Sequence, residues 1–177
     1  FDTMSSGTTQ SKFAGPAGLV YDSANNRLFV AERTNARVLV FDVAVITNGE
    51  NAVNVLGQAN FTTSSAGVSQ SQMTYPSGLA YDNTNQWLFV AETSNNRVTV
   101  YDVTAITNGE NAIKVLGQAI FTTSTSDTTQ SKFFSPDDVA YNQSNQRLFV
   151  SDSGNHRIMV FNAGDGITDG ENAVNVL

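Results

Sequence analysis

The chain has 177 residues, a formal net charge of −7, 40% hydrophobic and 14% charged residues, and no cysteine. Zero thiols exclude disulfides, thiolate zinc sites and thiol catalysis; a single histidine, His156, excludes multi-histidine metal sites and leaves little for a Ser-His-Asp triad. Nine basic against sixteen acidic residues argue against nucleic-acid phosphates as partners, no apolar run approaches the roughly 18 residues of a membrane span, and eleven Phe with five Tyr exclude a disordered acidic tail.

The first element starts after Pro16, which cannot donate to a ladder and so marks the edge of a strand over 18–21. A Ser-Ala-Asn-Asn turn at 23–26 leads to a second strand over 27–31, and Arg33-Thr34-Asn35 turns into a third over 37–41. Asn48-Gly49 is the strongest short turn signal, and 52–56 reads as a more polar fourth strand. Strands two and three carry apolar residues at consecutive positions, so both of their faces must be covered.

The pattern then repeats with a period of 60. Pro16 recurs as Pro76 and Pro136, and Arg27-Leu28-Phe29-Val30 as Trp87-Leu88-Phe89-Val90 and Arg147-Leu148-Phe149-Val150. The run 46–56 returns at 106–116 and, after one inserted residue, at 167–177. Three copies, about 1–60, 61–120 and 121–177, fill the chain. Four-stranded antiparallel sheets, covered on both faces and repeated in tandem, describe the blades of an all-β propeller, three per chain. A parallel β-helix is the rival, but its rungs are shorter and lack repeated Asn-Gly turns.

Pro136, then Val139-Ala140-Tyr141-Asn142, Leu148-Phe149-Val150-Ser151-Asp152 and Gly154-Asn155-His156-Arg157-Ile158, resembles the NHL repeat. The frame persists as Asn35-Ala36-Arg37 and Asn95-Asn96-Arg97. The excess over the usual repeat length lies in 57–75 and 117–135. The resemblance implies a propeller, commonly six-bladed, that binds protein, RNA or ligands, and, for some related propellers, a lactonase, hydrolase or lyase with a metal at the central channel. Fold analogy supports the architecture far better than any activity.

Candidate residues follow from departures and regularities in the repeat. Glu32 and Arg37, Glu92 and Arg97, and Asp152 and Arg157 are acid–base pairs spanning the same turn in each copy. A feature present in every copy points to fixing the hairpin rather than to a single active site. His156 aligns with Ala36 and Asn96, which makes it a turn residue. Asp137 and Asp138 replace a small residue and a glycine at the start of the third inner strand. They could hold a hard cation such as Ca²⁺ at the channel mouth or be surface drift; no other cofactor is implied. The connections 61–76 and 121–136 are either a ligand-facing rim or packed straps between blades.

The composition and the absence of a nucleophile–base set favour a non-catalytic scaffold or binding module, with a channel-metal enzyme as the alternative. Few Lys and much Ser, Thr and Asn lean toward a bacterial, secreted or envelope protein. The chain lacks an initial Met and a secretory leader, and it reads as a piece of a longer repeat protein.

Three blades cannot close a ring. The outward faces of the first and last blades would expose residues such as Leu28, Val30, Val38 and Val40, or Phe29, Leu39 and Phe41. Several hundred Å² on each face exceeds what monomers usually expose, and covering it contributes on the order of 10 kcal/mol before association costs. Two copies give six blades, inside the usual range, so a homodimeric ring is expected, with protein or small ligands on its rim or channel. Phe1 falls in a connection and Leu177 ends an outer strand, so each chain supplies whole blades.

Overall fold

A computed structural model describes residues 5–177. Among the described residues, twelve strands form three antiparallel sheets in simple meander order. The first contains β1 (Pro16–Asp22), β2 (Arg27–Glu32), β3 (Arg37–Asp42) and β4 (Asn54–Leu56). The second contains β5 (Pro76–Asp82), β6 (Trp87–Glu92), β7 (Arg97–Asp102) and β8 (Lys114–Leu116). The third contains β9 (Pro136–Asn142), β10 (Arg147–Asp152), β11 (Arg157–Asn162) and β12 (Asn175–Val176).

Register decides which residues share a face. Leu28 pairs with Phe41 and Val30 with Leu39, while Phe29 pairs with Val40 and Ala31 with Val38. Directly opposed residues point to the same side. The sequence-based grouping of Leu28 and Val30 with Val38 and Val40 is therefore corrected. Leu28, Val30, Leu39 and Phe41 form the outward face of the first blade, with Phe13 and Val43 packed on them. They are not bare, contrary to the sequence-based expectation: Val30, Leu39 and Phe41 are buried, and the exposed apolar residues of this end include Leu19 and Tyr21 on β1. Phe29, Ala31, Val38 and Val40 pack instead against Leu79, Tyr81, Leu88 and Val90 of the second. The second blade's other face, with Phe89, Ala91, Val98 and Val100, packs on Leu148, Val150, Met159 and Phe161 of the third.

The strands starting at the prolines are innermost: β1 packs on β5, and β5 on β9. The approach is close. A Cβ on Gly78 would fall 2.2 Å from Asp138 Oδ1, so only glycine fits that point of the inner strand. A bulge between Pro16 and Leu19, repeated in β5 and β9, leaves one extra residue on each inner strand at the axis.

The fourth strand is shorter than 52–56, starting at Asn54, and in the first two blades its last two residues are buried rather than polar edge. Asn48-Gly49 does not join β3 to β4 as a tight hairpin. It lies midway in the connection 43–53, and its equivalents serve the joints between blades, as described below. Phe1 lies outside the described residues. No helix among the described residues is long and apolar enough to cross a membrane.

Candidate functional site

Polar residues at the turn between the second and third strands of each blade converge on one device. Arg97 donates from Nε to Glu92 Oε1 at 3.0 Å, and both side chains are fully buried. Its other nitrogens reach backbone carbonyls of two different connections: Ser69 and Gln72 on the segment entering the blade, and Phe121 on the segment leaving it. Glu92 also accepts from the Thr74 amide, Asn95 Nδ2 and Thr99 Oγ1. Asn95 donates to the Gly67 carbonyl at 2.9 Å. Desolvation pushes the Glu92 carboxyl above its ordinary range against the pull of Arg97.

The same clamp appears in the other blades. Arg37 is paired with Glu32 and binds the carbonyls of Thr9, Lys12 and Phe61; Asn35 holds that of Gly7. Arg157 pairs with Asp152 at 2.7 Å and takes the carbonyls of Thr128, Thr129 and Lys132, with Asn155 on that of Asp127. Planar guanidinium suits this task because it presents several donors at fixed angles to several acceptors. The long connections are thus packed straps, not free loops. Met73 and Phe133 anchor them in the core, and Gln58 and Gln118 each tie two backbone carbonyls from within the strap. Sequence reasoning found the acid–Arg pairs but gave no role to Asn35, Asn95, Asn155, Gln58 and Gln118, although each of these residue types recurs at the repeat period.

His156 closes a short 3-10 turn with φ +55°, and Ala36 and Asn96 adopt φ +50° and +49° at the same place. A left-handed corner, not imidazole chemistry, is what the three residues share.

The channel mouth is a further polar concavity, a cavity of about 420 Å³ between the bulges of β1, β5 and β9. Asp137 meets Arg33 of the first blade at 3.4 Å, an exposed pair that spans the curved stack. Arg33 also lies over the Tyr75 ring, 5.4 Å from its centroid. Asp138 Oδ1 turns onto its own neighbour, accepting from the Val139 amide at 2.9 Å. The two carboxylates therefore stand together at the mouth, one of them facing a guanidinium. Among the described residues, no three His, Cys, Asp or Glu side chains gather in a metal-holding arrangement.

Polar contacts also cross the joints between blades. Tyr141 donates to Asp82 Oδ2 at 3.1 Å while stacking on Phe89, and burial followed by that carboxylate pushes its hydroxyl up to about 12. Arg27, held by Asp22, donates to the Val103 carbonyl of the second blade.

The model of the NHL repeat matches residues 13–41 and 133–161, the span from the strap's end through the third strand in the first and third blades. Human NHL repeat-containing protein 2 is 30% identical over 92 residues, which is 52% of this chain and 12% of that protein. The chain thus spans about an eighth of that relative's length. Among solved structures, RRP9 WD40 repeats match with a TM-score of 0.61 at 12% identity, over 93% of this chain and 38% of that one. A nidogen/laminin complex gives 0.58 at 12%, over 93% and 48%. Kuenenia stuttgartiensis hydrazine synthase gives 0.57 at 14%, over 92% and 36%. At these identities the likeness is one of fold: three consecutive propeller blades.

Proposed function

This chain belongs to the NHL-repeat family, and on that footing we propose that it is a non-catalytic scaffold whose three blades close with those of a second copy into a six-bladed ring, offering its rim and channel mouth to a protein or small ligand. The observation that carries this reading is the state of the two end faces. On the first blade Leu19 and Tyr21 are 62% and 50% exposed, whereas their counterparts Leu79 and Tyr81 are 7% and 9% exposed at an internal joint. An apolar hollow of about 230 Å³ opens there among Phe13, Leu28, Val30, Phe41, Val43 and Ile46. On the third blade Phe149 and Ile158 are half-buried, whereas Phe89 and Val98 are fully buried, and a hollow of about 160 Å³ opens beside them.

The two ends are complementary to each other, not to themselves. One presents the residues that a preceding blade covers, and the other those that a following blade covers. Head-to-tail contact made twice closes a ring under two-fold symmetry. The buried acids favour the scaffold reading over the channel-metal enzyme, because Glu32, Glu92 and Asp152 are each occupied by an Arg, an Asn and a strap amide. Light scattering after size exclusion tests the ring: the expected mass is twice 18.9 kDa. A stable monomer at low micromolar concentration overturns closure, and a trimer overturns the count of six.

A further inference from the structure

The internal joints are stitched by the Asn-Gly turn as well as by apolar packing. At the first joint the Val55 amide donates to Asn108 Oδ1 at 3.0 Å, and the Gly109 amide donates back to the Val55 carbonyl at 3.0 Å. Asn54 Nδ2 adds bonds to the Ile106 carbonyl and to Asn108 Oδ1, at 3.2 and 3.4 Å. At the second joint the Val115 amide donates to Asp169 Oδ1 at 3.0 Å, and Gly170 donates to the Val115 carbonyl at 2.9 Å. Each turn thus grips the central residue of the preceding blade's outer strand through both of its backbone groups. The glycines are required there: Gly109 and Gly170 have φ +70° and +68°, and an added Cβ would stand 2.9 Å from the Cα of Ala59 or Ala119.

Residue types are matched within each joint. The strand residue before the gripped valine is Asn54 where the turn carries Asn108, and Lys114 where the turn carries Asp169. Asn54 Nδ2 meets Asn108 Oδ1 at the first joint, whereas at the second Lys114 and Asp169 occupy the equivalent positions and are matched in charge without forming an ion pair.

The two open ends hold the unused halves of one more such latch. On the first blade, Asn48-Gly49 has the same conformation, with Gly49 at φ +74°, and nothing lies within 4 Å of the place a Cβ would occupy. On the third blade, Asn175-Val176 ends the outer strand, with both residues exposed. The pair is Asn with Asn, the combination of the first joint.

We infer that Asn48-Gly49 of one copy grips Val176 of a second copy, with Asn175 reaching the Ile46 carbonyl, so that the latch fixes the register and direction of the head-to-tail contact. This rests on the ring reading, and adds to it the residues that choose the partner face. An apolar face alone could slide or pair with itself; two backbone bonds to one residue admit a single register.

The chain has no cysteine, so engineered thiols give a clean test. Asn48→Cys and Asn175→Cys are prepared separately, mixed and oxidised. The expected product is a covalent dimer in the mixture, with each variant alone remaining non-covalent. The internal pair Asn54→Cys with Asn108→Cys, whose parent side chains meet at 3.4 Å, verifies the chemistry by closing within one chain. A disulfide in Asn48→Cys alone shows head-to-head contact and overturns the inference. Dimer mass by light scattering without cross-linking in the mixture overturns the latch and leaves the ring standing, whereas monomer throughout overturns both. Charge exchange gives a second readout. Asn48→Asp with Asn175→Lys retains the dimer by copying the second joint, while Asn48→Lys with Asn175→Lys weakens it at least about tenfold. Equal affinities for the two double variants also overturn the latch.

Discussion

Strands β1 and β5 read Pro-Ala-Gly-Leu-Val-Tyr-Asp and Pro-Ser-Gly-Leu-Ala-Tyr-Asp, and they lie in opposite surroundings. Every residue of β5 is buried, between the first and third blades, whereas in β1 only the final Asp22 is. Nothing local separates the two. The difference is position in the stack: β5 has a neighbour on each side and β1 on one. A propeller blade is therefore an element whose apolar inventory is set for two neighbours, and the ends of the chain show what that inventory looks like when one is missing.

The clamp gives the largest expected effect and the sharpest internal control. Arg97→Met leaves Glu92 fully buried without its cation and releases three strap carbonyls. The expected cost is about 3–5 kcal/mol in chemical denaturation. The companion change Arg157→Met, at a guanidinium 15% exposed in the third blade, costs clearly less. The Arg97→Met variant also acquires a pH dependence. Its Glu92 carboxyl, already raised by burial, rises further once Arg97 is gone. A carboxyl whose folded pKa lies above its unfolded value favours the folded state most at low pH. The variant's midpoint should therefore climb as pH falls through the acidic range, relative to that of the parent. A pH-independent difference would show that Glu92 had gained water or another partner.

Next come the paired joint positions. Leu79→Ala removes a side chain buried in the first joint and costs about 2–4 kcal/mol. Leu19→Ala, at the same place in β1, changes the stability of the isolated chain by no more than about 0.5 kcal/mol. In the proposed ring, the same Leu19→Ala change is expected to weaken dimerisation instead, seen as a concentration-dependent loss of dimer in sedimentation. Equal effects of both changes on unfolding of the monomer would break the comparison.

Strap anchoring is smaller. Asn95→Ala removes one of the two donors to the Gly67 carbonyl, which keeps Thr74 Oγ1, and one Glu92 bond, at about 1–2 kcal/mol, and limited proteolysis should first cut near residues 65–70. The smallest effect is expected at the channel mouth. Asp138→Gly restores the residue of the other two blades at an exposed position and shifts stability by less than about 1 kcal/mol.

Much of this was legible in the sequence. The period of 60, the prolines that open the inner strands and the doubly apolar second and third strands led to four-stranded blades, because period and propensity are local quantities. The acid–Arg pairs stood out for the same reason, as did the turn that Ala36, Asn96 and His156 share, although its left-handed conformation did not. Less was visible in 57–75 and 117–135. Their Ser and Thr content suits an exposed loop, yet their carbonyls are gathered by Arg, Asn and Gln side chains from about 7 to 29 positions away, and composition does not record such partners.

What the sequence determined by itself was the blade: where strands start, where the chain turns, and that each sheet needs cover on both sides. What only the tertiary structure decided was which residues share a face and what the Asn-Gly turn is for. Register pairs Leu28 with Phe41 through hydrogen bonds between strands, and a shift of one residue would exchange the two faces. Likewise Asn108-Gly109 would serve equally well as a hairpin turn by its own propensity. It becomes a latch because the curvature of the stack brings the Val55 backbone within 3.0 Å of it, a contact between residues more than fifty positions apart that no local pattern encodes.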